Sequence, residues 1–507
     1  MLHNFARNAS VSKRRCEVCE GPVSTAKTES SRTVAKPLCV DLDGTLVATD
    51  VTVEAILELL KAAPWKLFSL IAALMSGRPA LKRYVAQHVT IDASTLPYRD
   101  RVLGEMRQAR ADGRWVLLVT ASDQSVADAV GQYVDLVDEA VGTHSETNLK
   151  GGNKAAYLVS RFGAQGFQYL GDSPADLPVW SAAGEALLVA PSVSTQRRAK
   201  QSVPKVEVLV ERPNKLRAAV KELRPHQWAK NVLLFVPLYF AHQYTNLELV
   251  FAAVMAFFSF SFAASSIYVL NDLVDLPADR LHRSKRNRPL AAGELSVADG
   301  ILLSTMALAV SITLAILFLS TNFLWVVLGY VALTTAYSFY LKQQMIVDVL
   351  TLASLFTYRV MAGGVAVNVP LSEWLLAFSI FFFTSLAFVK RYSELIQTKA
   401  DGRISIKGRN YVPADIPIIV AAGLASGFLA VLVFALYINT PAITGYYPRV
   451  QVLWGICLVL VYWIMRIWFL AARDQMHDDP VLFAVKDRIS IFAGALVVAC
   501  LFAARYG

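Results

Sequence analysis

Three clusters of charged residues could do chemistry. Lys36 to Asp50 reads KPLCVDLDGTLVATD, an apolar run that delivers Asp41 and Asp43 into a glycine turn. Far downstream, NDLVDLPADRLHRSKRNRPLAAG sets Asn271, Asp272, Asp275 and Asp279 behind one apolar stretch and ahead of several cations. In a helix, four-residue spacing puts Asn271, Asp275 and Asp279 on one stripe, with Pro277 forcing a kink or restart between the last two. Acids at the mouth of an apolar bundle suit Mg2+ and a diphosphate. Magnesium takes a few carboxylates together with phosphate oxygens and water, and a departing diphosphate needs its charge neutralised. The third cluster, KRYSEL, holds Lys390, Arg391 and Glu394, and paired cations suit direct contact with an anion. Asp348 and Arg359 stand well inside apolar stretches, where a lone charge is costly, so they form an ion pair or belong to a site.

These groups call for two kinds of scaffold. Up to about Pro213 the chain mixes charge, glycine and short apolar runs as a water-soluble α/β protein does, whereas 231–504 is mostly long apolar stretches. A bilayer crossing takes roughly 20 apolar residues. Nine candidates run approximately over Asn231–Ala241, which is short, Leu249–Leu270, Gly300–Leu319, Phe323–Tyr340, Met345–Val367, Trp374–Val389, Pro413–Tyr437, Val450–Ala471 and Ile489–Ala504. Loops on one side (Arg280 to Arg288, Lys342, Lys390 to Arg409, Arg473 to Arg488) carry fifteen Lys and Arg, and the other side has only Arg449 and Arg505. Because short basic loops stay cytoplasmic, the soluble part and both charged clusters are expected on the cytoplasmic side of the cell membrane, with the carboxyl terminus opposite. The same loops account for much of the net charge of +10. They flank spans that meet anionic headgroups, which argues against a nucleic-acid partner.

The remaining features are quieter. Cys16 and Cys19 form an isolated C-x-x-C in a polar tail, half a zinc site without a redox setting. Residues 1–35 lack the apolar core of a cleavable signal and are expected to be disordered. Residues 51–99 read as a small helical cap. Its run Trp65 to Met75 is too short to span and is expected in the cap core, the alternative being an interfacial helix. The linker is expected at 196–220, although VEVLV within it has the pattern of an edge strand.

The DxDGT at the end of a strand resembles the first motif of haloacid-dehalogenase-type phosphatases, and the other motifs follow in order. WVLLVTAS ends a strand at Thr120, GGNKAA supplies Lys154, and GDSPAD supplies Asp172 and Asp176. The resemblance implies a Rossmann-like fold over 36–195 with its site at the carboxyl ends of the strands. It further implies Asp41 as nucleophile forming an aspartyl-phosphate and Asp43 as general acid and base. Thr120 and Lys154 would cradle phosphate, and Mg2+ would be held by Asp41, Asp172, Asp176 and the Asp43 carbonyl.

From 221 to 507 the chain resembles the UbiA superfamily, whose first aspartate motif N-D-x-x-D-x-x-x-D is matched by Asn271, Asp272, Asp275 and Asp279. The usual members transfer an isoprenoid from its diphosphate to an aromatic acceptor, and carry a second motif, D-x-x-x-D, where this chain has KRYSEL. That departure, with RPHQWAKN, YSFYLKQQMIVDV, FTYRVMAGGVAVNVPLSEW and DDPVLFAVKDR, is similar to the polyprenyl-phosphate phosphoribosyltransferase subgroup. There the phosphate of a lipid such as decaprenyl phosphate attacks C1 of 5-phosphoribosyl diphosphate and pyrophosphate leaves. The resemblance implies Asn271, Asp272, Asp275 and Asp279 on Mg2+ and the diphosphate, and Arg224, Lys230, Tyr337, Lys342, Lys390 and Arg391, with Glu394 beside them, around the remaining phosphates. Arg359 would be a candidate for the ribose pocket.

The expected whole is an α/β Rossmann-like haloacid-dehalogenase domain with a small helical cap, followed by an all-α polytopic bundle of nine transmembrane helices. It would be a membrane enzyme with Mg2+ in both domains, serving arabinan or cell-wall precursor synthesis. Its partners would be a polyprenyl phosphate, 5-phosphoribosyl diphosphate and the bilayer, with room for a homo-oligomer. Two alternatives stand beside this: ordinary prenyl transfer to an aromatic or small acceptor, and a transporter or lipid-binding protein whose soluble part regulates it.

Overall fold

The computed structural model describes residues 36–143, 148–400, 409–476 and 479–506. Cys16 and Cys19 lie outside them.

The amino-terminal part runs β1 (Leu38–Val40), α1 (Val51–Ala62), α2 (Leu67–Met75), α3 (Arg78–His88), α4 (Asp100–Ala111), β2 (Val116–Asp123), α5 (Gln124–Val134), β3 (Glu139–Thr143), α6 (Gly152–Phe162), β4 (Gln168–Gly171), α7 (Leu177–Ala182), β5 (Glu185–Val189), α8 (Val193–Ser202) and β6 (Val206–Val210). All six strands are parallel, in the order β3-β2-β1-β4-β5-β6. Successive side chains of a strand point to opposite faces, so Leu38 and Val40 pack with Val102 and Met106 of α4, while Cys39 packs on the other face with Leu158 of α6 and Trp180 of α7. Helices on both faces are why β1 reads as an unbroken apolar run. VEVLV is β6, the edge strand, so the stretch expected as a linker is instead the end of α8, β6 and α9 (Lys215–Glu222).

After α9 come a 3-10 helix (Pro225–Phe235), α10 (Val236–Phe240), α11 (Leu247–Val274), α12 (Leu276–Leu281), α13 (Val297–Phe318), α14 (Thr321–Phe339), α15 (Val347–Ala366), α16 (Glu373–Ala400), α17 (Ile416–Ile438), α18 (Pro441–Thr444), α19 (Val450–Ala472), α20 (Pro480–Lys486) and α21 (Arg488–Tyr506). Among the described residues eight helices, not nine, are long and apolar enough to cross a membrane. The exception is the short first candidate. Arg224 at φ +53 and Pro225 start a 3-10 helix that continues into five α-helical residues. Its narrow coil lets the backbone of Leu234 press on α15, where a Cβ at Gly363 would lie 2.1 Å from the Leu234 carbonyl oxygen. Eleven residues at roughly 2.0 Å and five at roughly 1.5 Å reach about 30 Å. The contacts confirm that reach, running antiparallel down α11 from Arg224 on Asp272, through Trp228 on Ser265 and Asn231 on Ser261, to Leu238 beside Ala253.

Small residues let the spans approach closely. Ser259 donates to the Ser311 carbonyl and Ser304 to the Ser266 carbonyl, sealing α11 to α13.

The two parts are docked. Val53 and Leu57 of α1 pack on Leu273 and Leu276, and Arg280 forms a two-pronged ion pair with Glu54 at 2.6 and 2.8 Å. Gly293, at φ +70, abuts the loop after β1, where a Cβ would lie 2.3 Å from that of Ala48.

Candidate active sites

The sheet order sets the first site. β1 lies between β2 and β4, so the carboxyl ends of three neighbouring strands deliver Asp41, Thr120 and Asp172 side by side. Gly44 has φ +76, and a Cβ there would lie 2.3 Å from an Asp172 oxygen, so the turn after β1 requires glycine. Asp41, Asp172 and Asp176 each offer an oxygen, all within 4.8 Å of one another. Lys154 on α6 donates to Asp41 at 2.8 Å and to Tyr169 at 3.0 Å, and Tyr169 donates to Asp176 at 2.8 Å. Asp43 accepts from the Val51 amide and the Ser122 hydroxyl, each at 2.8 or 2.7 Å. Thr120 is fully buried and its oxygen accepts the Ser122 amide at 2.9 Å.

Burial pushes the Asp41 carboxyl up to about 7, against the pull of Lys154. Burial, then repulsion from Asp41 and Asp176, raises Asp172 to about 8. Burial and then Asp50 raise Asp43. Three crowded acids beside one ammonium have too little positive charge among themselves. That donor set fits a hard divalent cation such as Mg2+.

The second site forms where α11 ends. Asp275 closes α11 and opens α12, so the helix restarts at Leu276 with Pro277 in its first turn. The stripe survives, because the Asp275 amide donates to the Asn271 carbonyl and the Asp279 amide to the Asp275 carbonyl, both at 2.9 Å. Asp272 and Asp279 are buried, Asn271 and Asp275 half-buried. Arg224 binds Asp272, Arg288 binds both Asp272 (3.0 Å) and Asp279, and Lys285 stands 3.6 Å from Asp279. These acids suit Mg2+ by type, although here guanidinium groups face them.

The cations of KRYSEL are held by Asp479 and Asp348 from other segments and by the motif's own Glu394. Asp479, ahead of α20, receives Lys230 at 3.1 Å and Lys390 at 3.3 Å. Arg391 is fully buried against Asp348 at 2.6 Å and also binds Glu394, which receives Arg409 at 3.0 Å; Tyr337 donates to Asp348 at 2.8 Å. Asp348 is thus paired with Arg391 and not with Arg359. Arg359 instead donates to Asn231 and Tyr330, each at 2.9 Å. Lys230 and Arg359 both lie over the ring of Phe356, at 5.8 and 5.2 Å, which ties the Asp479 group to the centre of the bundle. Lys342 sits apart in the turn Leu341–Gln343 and makes no ion pair among the described residues. Beyond Phe356, which stacks on Phe383, an apolar cavity of about 260 Å³ opens between the helices, lined by Phe378, Phe382, Phe434 and Leu460 among others.

Four participants went unread in the sequence. Arg288, Asp479 and Ser122 sit within or next to quoted motifs, yet nothing in their spacing names their partners. Glu222 is buried beside Asp272, accepting the Leu290 amide at 3.4 Å, and burial followed by that neighbour raises its carboxyl to about 8. Its one signal is an acid in the otherwise basic KLRAAVKELRPHQWAK.

Residues 232–487 match the model of the UbiA prenyltransferase family. The chain belongs to this family. It is therefore a multi-pass membrane enzyme with a helical UbiA fold, preceded by a domain built on a six-stranded parallel sheet. "Uncharacterized protein y4nM" of Sinorhizobium fredii is 39% identical over 463 residues, 91% of this chain and 89% of that protein. The decaprenyl-phosphate phosphoribosyltransferase of Mycobacterium tuberculosis is 39% identical over 188 residues, 36% of this chain and 61% of that protein. A UbiA homologue from Archaeoglobus fulgidus, solved bound to GPP and Mg2+, is 18% identical over 57% of this chain and 99% of its own, with TM-score 0.42. A haloacid-dehalogenase-family hydrolase of Salmonella enterica serovar Typhi is 13% identical over 34% of this chain and 67% of its own, with TM-score 0.26.

Proposed function

We propose that the bundle transfers 5-phosphoribose from 5-phosphoribosyl diphosphate to a polyprenyl phosphate, and that the amino-terminal domain then removes the 5-phosphate. The observation that carries this reading is the cation Lys390, sharing Asp479 with Lys230, at the place where the usual family members carry a second aspartate motif; Arg391 beside it is fully buried on Asp348 and does not itself reach a substrate anion. Two acidic motifs suit one diphosphate with its metals, whereas a cation there suits a second anion bound directly. The relative named decaprenyl-phosphate phosphoribosyltransferase supports the same transferred group and the same kind of acceptor.

In the transfer, an oxygen of the lipid phosphate attacks C1 of the ribose, the bond from C1 to the diphosphate breaks, and pyrophosphate leaves with that electron pair. Magnesium bound by Asp272, Asp275 and Asp279, with Asn271 alongside, would neutralise charge on the diphosphate. Arg224 and Arg288 already face these acids and reach the same anion. Lys230 and Lys390, sharing Asp479, orient the lipid phosphate. Arg391, locked by Asp348 and Glu394, holds Tyr337 and the neighbouring Lys390 in place. The apolar cavity beyond Phe383 takes polyprenyl chain.

In the sheet domain, an Asp41 oxygen attacks phosphorus and the ribose 5-oxygen leaves with a proton from Asp43, which its raised pKa keeps available. Asp43 then takes a proton from the water that splits the aspartyl-phosphate, releasing phosphate. Lys154 orients Asp41, and the Thr120 hydroxyl faces the phosphate. Magnesium at Asp41, Asp172 and Asp176 would offset repulsion between nucleophile and phosphate. Both sites lie at the cytoplasmic face and the carboxyl terminus opposite, the orientation that the basic loops favour.

Supplying lipid phosphate and donor to the reconstituted protein tests the pairing. Wild type is expected to yield lipid-linked ribose without its 5-phosphate. Asp41→Asn should accumulate the 5-phosphorylated lipid, and Asp43→Asn should slow phosphate release about 100- to 10,000-fold. Dephosphorylated product from Asp41→Asn would remove the phosphatase role. Prenylation of an aromatic acceptor, with no ribose transfer, would remove the transferase reading.

A further inference from the structure

The helix α2 departs from its expected place in the cap core. Of its nine residues, LFSLIAALM, only Leu70 is buried. Phe68 is 77% exposed, Met75 85%, Leu74 53% and Ile71 47%, and Trp65 just before the helix is 71% exposed. Such values match the lipid-facing side chains of the spans, where Leu317 is 66% and Leu458 75% exposed. The helix has no charged residue, which is unusual for a helix exposed on a water-soluble domain, where large apolar patches mark an interaction surface.

We propose that α2 is a monotopic anchor, lying in the headgroup region of the same bilayer that the bundle spans and pinning the cap to it. Three observations choose lipid as the occupant. The preceding helix α1 rests on Leu273 near the end of the spanning helix α11 and on Leu276 at the start of α12, so the cap starts where the chain leaves the membrane. Lys61, exposed, and Lys66, half-buried, precede α2 in the chain, and Arg83, exposed, lies on α3, which packs against α2, a neighbourhood of cations with aromatic and aliphatic groups that favours anionic headgroups. Trp65 stands at the edge of the patch, where an indole prefers the interface. The eight spans hold the patch close to the surface, so even a weak affinity suffices to seat it.

Pinning would have a direct effect on the sheet domain. Lys82 of α3, packed against α2, donates to the Ala121 carbonyl at 2.8 Å, one residue from Ser122, which binds Asp43. The cap that meets lipid therefore also touches the end of β2. The anchor goes beyond the proposed reactions and holds whichever substrate the sheet domain takes.

The test uses the full chain in vesicles of phosphatidylcholine and phosphatidylglycerol containing a lipid with a photoreactive group in its acyl chain. Lipid adducts are expected on the peptide covering 65–75, as on lipid-facing positions of α13. Adducts on the spans with none on that peptide would overturn the anchor, as would a cross-link from it to a second copy of the chain. In the double variant Phe68→Glu with Met75→Glu, adducts on this peptide are expected to fall several-fold while those on α13 stay unchanged. Undiminished adducts would overturn the proposal equally, and if the variant fails to fold, the wild-type adduct map decides.

Discussion

At the residue scale, the strongest consequence belongs to Asp41 and Asp172, whose carboxyls rise to about 7 and about 8. A group whose folded pKa is raised in this way binds more protons folded than unfolded between the ordinary carboxylate range and about 8. Rising pH through that window therefore favours unfolding. The thermal midpoint of the metal-free protein is expected to fall as pH climbs toward about 8, less steeply in Asp172→Asn, and added Mg2+ should restore it at the upper end. A flat profile in calorimetry would contradict the crowded, metal-hungry arrangement. Arg391 gives a second prediction. Arg391→Met leaves Asp348 buried without a counter-charge, at a cost of about 3–5 kcal/mol, visible as a lowered midpoint in detergent. Replacing Asp348 by Asn in the same chain should recover much of the loss, and no recovery would mean that the pair is not what holds the region. The identity of these acids was legible because aspartates at the ends of apolar runs stand out. Their partners were not: Asp348 meets Arg391 and not Arg359 because helix packing, not spacing, decides which charges face each other.

At the scale of elements, α11 and its neighbours explain which parts of the fold could be read. Long apolar runs announced the spans, and the short unbroken apolar runs of β1 and β2, each ending in a motif residue, announced the sheet through the resemblance they carry. The 3-10 segment from Pro225 was harder, because a 16-residue passage down the bundle lacks the length that marks an α-helical crossing, and its reach comes from greater rise per residue. The cap helix α2 misled for a related reason. An apolar run too short to span looks like core until the packing shows most of its side chains exposed among the described residues. The docking of cap and loop offers a further prediction. Gly293→Val adds a branched side chain at φ +70, where a Cβ already meets Ala48 at 2.3 Å. It should loosen the two parts, reported by faster hydrogen exchange over 44–54 and 288–296 and by reduced cross-linking between Glu54 and the Arg280 loop. Unchanged exchange would mean that the contact carries no docking energy.

At the scale of the whole molecule, the two acidic clusters proposed to handle phosphate are built on unlike scaffolds that touch through α1, Arg280 and Gly293. Glu54, which pairs with Arg280, lies in the cap eleven residues after Asp43, and Arg280 follows Asp279 directly. Each site's framing loop thus bears on the other's, which suits successive steps on one membrane-bound molecule. The division into a sheet domain and a bundle was visible in composition alone. The docking was not, because it depends on a glycine, one ion pair and a few apolar side chains. The most direct measurement follows ribose. Vesicles holding the protein are given polyprenyl phosphate and 5-phosphoribosyl diphosphate labelled in the ribose, with Mg2+. Label is expected in the lipid with one pyrophosphate released per ribose, and in Asp272→Ala and Asp275→Ala, both correctly inserted, transfer should be lost. Ribose coupling at the unaltered rate in those variants, or no labelled lipid from the wild type, would contradict it.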